Sequence, residues 1–148
     1  MAKTLWILAA VFAVAAGITD LRWRKIPNWL TYPAVPIAIF LHWMIAGRHA
    51  ALLSLGGAAL GLGVLLPFVL LGGLGGGDWK LVGALGAFFE PRKLVPVLLL
   101  TLMINGIIAI SVVLWKKHDK SGAQKIRFGI GAAIATLLYV AAQPWVAF

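Results

Sequence analysis

The chain has 148 residues, 62% hydrophobic and only 11% charged, with 13 Lys and Arg against four Asp and Glu and no Cys. A soluble domain usually carries about 25% charged residues, and a globule this small has too much surface for its volume to hide so much apolar side chain. A cytosolic enzyme, a disordered chain, a disulfide scaffold and thiolate chemistry are thereby excluded, which leaves a polytopic membrane protein forming one domain over residues 1–148.

A helix crossing the hydrocarbon core needs about 20 mostly apolar residues. The first such run extends from about Thr4 to Thr19. Lys3, this run and the small residues from Ala13 to Ala16 have the outline of a cleavable signal peptide. Arg22, Arg24 and Lys25 directly afterwards oppose translocation of that flank, so the helix is read as retained. A second helix is expected from about Trp29 to Ala46 and a third from about Ala50 to Leu71. A Gly-rich break follows from Gly72 to Gly77, then a short apolar stretch from Trp79 to Phe89. A long helix is expected from about Leu94 to Trp115 and a last one from about Phe128 to Pro144. No segment shows the period-two alternation of a barrel strand. The expectation is an all-α bundle of about six transmembrane helices, the fourth short and placed after a Gly-rich loop.

The net charge of +9 does not point to nucleic acid, because the basic residues sit in short breaks between uncharged runs and not on a solvated face. They read as topology signals. If the fourth stretch crosses, nine Lys and Arg lie on the inner side, with Lys3, Arg48, Arg92 and Lys93 outside; if it re-enters, the split is six and seven. Only crossing satisfies the positive-inside bias. Both termini are then outside, and the fourth helix is either short or extended through Pro91 with Arg92 and Lys93 reaching to the interface.

Each of the four acids can be weighed. Glu90 reads as a solvated loop residue and Asp119 as a screened partner of its Lys-rich loop. Asp20 closes the first helix and Asp78 opens the fourth after three glycines, on one side of the membrane. An ionisable residue at a span boundary is expensive and marks a functional site by default. Capping explains either residue alone, Asp78 as an N-cap and Asp20 as the lead into the turn before Pro27, but not the two together beside Gly75, Gly76 and Gly77. Two nearby carboxylates share a proton because both cannot ionise cheaply. Such a pair can activate water and polarise a carbonyl without metal, thiol or cofactor. The glycines would allow unusual dihedrals and a close approach of substrate. Helix dipoles would set a positive end at Asp78 and a negative end at Asp20.

These segments resemble the type IV prepilin peptidase family, membrane aspartic proteases of the GxGD type. The first match is the run from Asp20 through Arg22, Arg24, Lys25, Ile26, Pro27 and Asn28 to Thr31. The second is Gly75-Gly76-Gly77-Asp78-Trp79-Lys80, and a weaker third is Ile126-Arg127-Phe128-Gly129, where Arg127 replaces the more usual Pro. The resemblance implies that Asp20 and Asp78 are the catalytic pair and that no cofactor or metal is used. It implies as substrate the basic cytoplasmic leader of a pilin-like precursor, cut just ahead of its hydrophobic helix at the inner membrane of a bacterium. Without Cys or the extra segment that precedes the first Asp in larger members, the chain resembles the short form of tight-adherence (Flp-type) pili, which lacks methyltransferase activity. Lipid is the expected second partner, since the inner-face cations can hold anionic head groups.

Lys80 and Asn28 are candidate supporting residues, the first beside Asp78 and the second in the turn after Pro27. Asn105 is expected to make an interhelical hydrogen bond, and His42 with Trp43 to sit in an interfacial belt. His49 and His118 read as loop residues, and the three His share no metal-ligand spacing. Two other functions fit the composition: a small proton or cation transporter subunit using the intramembrane acids, and a non-catalytic membrane protein of a secretion apparatus. Neither requires Asp20 and Asp78 to meet.

Overall fold

The computed structural model describes residues 2–115 and 128–146. They form four helices: α1 (Ala2–Trp23), α2 (Asn28–Leu70), α3 (Gly76–Trp115) and α4 (Phe128–Val146). Two of these are broken. Gly47 (φ 80°, ψ −169°) divides α2 and Glu90 (φ 63°, ψ 163°) divides α3, giving limbs 28–46 and 48–70, then 76–89 and 91–115.

Contacts fix how the limbs run. Lys80 meets Asn28 and Glu90 meets His42, so limbs 28–46 and 76–89 are parallel. Gly57 faces Gly86 and Gly61 faces Val82, so limb 48–70 runs antiparallel to 76–89. Gly17 faces Ala133 and Gly129 faces Asp20, so α1 and α4 are antiparallel. The chain therefore passes to and fro between two ends. Asp20, Asn28, Asp78 and Phe128 share one end; Trp6, His42, Gly47, Glu90 and Lys93 share the other.

The sequence dictates both reversals. Gly47 takes a left-handed backbone that costs a residue without Cβ nothing. At Glu90 the following Pro91 cannot donate to the preceding turn, and it opens the next limb at a position that favours it. Of the two forms expected for the fourth helix, the structure has the short one: the limb ends before Glu90 and is not continued through Pro91. At the opposite end α2 closes with Gly72 at φ 76°, where the Gly73 N–H donates to the Phe68 carbonyl at 2.9 Å.

Apolar side chains lie on both sides of the bundle wall. Val11, Phe40, Leu52, Ile107 and Leu114 face outward, while Phe89, Leu65, Leu81, Leu85 and Leu94 fill the interior together with Ala, Gly, Ser54, Thr101, Asn105 and Thr136. Exposed apolar surface on this scale marks a face covered by a membrane or a partner. Among the described residues, three helices are long and apolar enough to cross a membrane: Lys3–Trp23, Asn28–Leu70 and Gly76–Val112, with the shorter Phe128–Gln143 beside them. The all-α polytopic expectation agrees with this architecture. Small residues let backbones touch: a Cβ on Gly57 would collide with the Gly86 carbonyl, and one on Gly61 would lie 2.7 Å from the Val82 carbonyl oxygen. The four-residue spacing of Gly57 and Gly61 is the small-residue pattern of packed membrane helices. Ser54 ties the same pair of limbs by donating to the Ala87 carbonyl at 2.7 Å.

Glu90 is not a solvated loop residue. Its carboxylate lies 3.6 Å from Nε2 of buried His42 and 3.4 Å from Nζ of Lys93. His42, expected in an interfacial belt, faces inward, and its Nδ1 donates to the Ala38 carbonyl at 2.9 Å. His49 is helical. His118, Asp119, the basic segment and Ile126 with Arg127 lie outside the described residues.

Candidate active site

Helix α1 continues past Thr19 to Trp23, which puts Asp20 inside its last turn. Arg24 then adopts φ 53°, and its N–H donates to the Asp20 carbonyl at 2.9 Å, ending the helix. A non-glycine residue in this region is uncommon; here it turns residues 24–27 across the bundle end. Ile26 is buried and lies under the first turn of α3, where a Cβ on Gly77 would sit 3.4 Å from the Ile26 Cβ and carbonyl oxygen.

Asp78 is the third residue of α3, in its first turn, and is partly buried. It is not the N-cap. The Gly75 carbonyl accepts from the Trp79 N–H at 3.1 Å, so Gly76 and Gly77 are already helical. Positive φ among the glycines occurs at Gly47 and Gly72, not at Gly75, Gly76 or Gly77. The triple glycine therefore supplies no unusual dihedral of that kind; at Gly77 the small residue permits close packing on Ile26.

Asp20 is 6% exposed, and its Oδ2 accepts the Gly129 N–H at 3.0 Å. Gly129 is the second residue of α4, where backbone amides lack intrahelical partners. Asp20 thus meets the positive end of α4 as well as the negative end of its own helix, which corrects the picture drawn from α1 alone. A Cβ on Gly129 would lie 2.9 Å from the Asp20 Cβ and 3.0 Å from Oδ2. The weaker third sequence match contains this glycine, so the signal was present without its reason. Asn105 helps to hold the α4 start: its Nδ2 donates to the Thr101 carbonyl at 2.9 Å and across to the Phe128 carbonyl at 3.4 Å.

One cavity of about 440 Å³ is lined by Asp20, Arg24, Lys25, Ile26, Pro27, Asn28, Gly75, Gly76, Gly77 and Asp78. Six of the seven residues singled out from sequence thus share one space. The seventh, Lys80, donates from Nζ to Asn28 Oδ1 at 3.0 Å and lies 4.8 Å from the centre of the Tyr32 ring. This contact ties the first turns of α3 to the start of α2. Trp79 anchors the same turn from behind, its Nε1 donating to the Leu62 carbonyl at 2.6 Å. The two carboxylates give the cavity groups that can take up and release protons beside a bound amide, with the cations Arg24 and Lys25 on the same lining.

The sequence profile of the type IV leader peptidase family matches residues 7–110. That range holds both aspartates, the triple glycine, Asn28 and Lys80. No curated protein and no solved structure gives a significant match to the chain. With the profile covering more than two thirds of the 148 residues, and an all-helical apolar bundle to carry it, the chain belongs to the type IV leader peptidase family, a family of membrane proteases.

Proposed function

We propose that the protein is an aspartic endopeptidase that removes the basic leader of pilin-like precursors at the cytoplasmic face of a bacterial inner membrane. The observation that carries this reading is that Asp20 and Asp78, from helices far apart in sequence, line the same cavity. One carboxylate takes a proton from water while the water oxygen bonds to the scissile carbonyl carbon. The other, protonated, donates to the carbonyl oxygen. The tetrahedral adduct then collapses, the C–N bond breaks, and the amine leaves with a proton from the pair. No group beyond the two carboxyls and water is needed for the balance.

The leader is expected to lie over the cavity and the apolar helix that follows it to remain in lipid. Lys and Arg grouped at the aspartate end fit an inward orientation of that end. The absence of Cys from the chain fits the short, Flp-type form without methyltransferase activity. Gly75, Gly76, Gly77, Asn28 and Lys80 act as supporting residues: the glycines line the cavity beside Asp78, Gly77 packs on Ile26, and Lys80 with Asn28 ties the start of α3 to the start of α2.

Coexpression with a pilin-like precursor tests this, read by the gel shift of leader removal. The wild-type protein should cleave, and Asp20→Ala and Asp78→Ala should each leave the precursor intact at equal membrane levels. Full cleavage by either variant would refute the mechanism.

A further inference from the structure

Consecutive helices joined by a short connection usually pack together, yet α1 and α2 touch only sparsely, although only residues 24–27 separate them. Helix α1 packs chiefly on α4 and then α3, whereas α2 packs almost wholly on α3. The splayed pair leaves an apolar slot of about 340 Å³. Val11 and Ala15 line it from α1, Pro33 and Ile37 from α2. The buried rings of Phe12 and Phe88, with centroids 5.7 Å apart, close its base, while Val11 and Ile37 are more than half exposed at its rim.

The slot and the aspartate cavity are successive compartments of the same three elements. Ala15 precedes Asp20 by five residues, Pro33 follows Asn28 by five, and Phe88 lies on limb 76–89, whose first turn carries Asp78. Five helical residues correspond to about 7.5 Å of rise. From Leu8 to Ala15 the α1 wall measures about 10 Å, two helical turns. A molecule that occupies both compartments is polar in the cavity and apolar at the level just beneath it.

We propose that this slot is the substrate's docking surface: the first two turns of the precursor's apolar helix enter it sideways from the bilayer, which delivers the peptide bond ahead of them to Asp20 and Asp78. The inference rests on the leader-peptidase reading and adds the place where the membrane part of the substrate binds. Recognition then depends on the fit of an apolar helix between α1 and α2, so a leader whose charge repels the basic end of the bundle is still held at the site.

The test is site-specific photocrosslinking in membranes. Benzoylphenylalanine replaces Val11 or Ile37 in the Asp78→Asn protein, coexpressed with a pilin-like precursor. Ile107 and Leu114, exposed on limb 91–115, serve as control positions. Adducts with the precursor should form from positions 11 and 37 at least fivefold more than from 107 and 114. In the active protein, Val11→Trp and Ile37→Trp should raise KM for the precursor about tenfold, and Ile107→Trp should leave cleavage unchanged. Equal adducts from all four positions, adducts with lipid alone, or wild-type KM in both slot variants would overturn the proposal. Failure of the underlying reading is distinguishable, because the wild-type protein would then not cleave the precursor at all.

Discussion

At the residue scale, Gly129 offers the sharpest consequence of the site geometry. Its amide holds Asp20 Oδ2 at 3.0 Å, and the space its Cβ would take is already filled by that carboxylate's own carbons. Gly129→Ala is expected to push Asp20 aside, and misplacement of a reacting group by about 1 Å costs on the order of 100-fold in rate. The added methyl should cost only about 1–3 kcal/mol of stability. Comparing kcat with the thermal midpoint of the purified variant checks this: a large drop in kcat beside a small shift in Tm is expected, and wild-type kcat would show that the amide does not position Asp20. Both aspartates were legible in the sequence because acids are so scarce in an apolar chain. Gly129 was legible only as part of a motif, since nothing local reveals that its amide meets a residue at the far end of α1.

At the element scale, the helices followed from the apolar runs, with corrections wherever a boundary depends on backbone geometry. Helix α1 outlasts its apolar run because Leu21, Arg22 and Trp23 continue the turn at the exposed bundle end. The break at Glu90 depends on Pro91, and its pairing with His42 depends on the parallel course of limbs 28–46 and 76–89, which no local pattern encodes. The close contact at Gly57 and Gly61 emerged only from the structure, since a pair of small residues in an apolar run does not name the helix it will meet. Its physical test contrasts two glycines. A Cβ on Gly86 would collide with the Gly57 carbonyl, whereas one on Gly63 meets nothing within 4 Å. Gly86→Leu should therefore force the limbs apart and lower the Tm of the detergent-solubilised protein by several degrees or prevent its accumulation. Gly63→Ala should hold or raise Tm, since Ala is favoured over Gly in a helix by about 1 kcal/mol. Equal Tm values for Gly86→Leu and wild type would refute the tight contact.

At the scale of the whole molecule, the bundle has two chemically distinct ends. Arg22, Arg24, Lys25 and Lys80 gather with the aspartates, while Arg48, Arg92 and Lys93 lie with Glu90. The proposed function puts the first group on the cytoplasmic side. The lack of native Cys makes this directly measurable. Arg22→Cys should react with an impermeant maleimide only in inverted vesicles, and Arg48→Cys only in intact spheroplasts; the opposite pattern would move the site to the outer face.

The central claim is that Asp20 and Asp78 act as one unit on one bond. Groups that work together lose their joint contribution when either is removed, so their effects do not multiply. The decisive measurement is precursor cleavage by the purified protein in lipid nanodiscs, comparing wild type, Asp20→Asn, Asp78→Asn and the double variant. Each single substitution is predicted to lower kcat by about 1,000-fold or more, with the double variant no slower than either. A single variant that retains wild-type kcat, or a double variant whose loss is the product of two modest single losses, would contradict it.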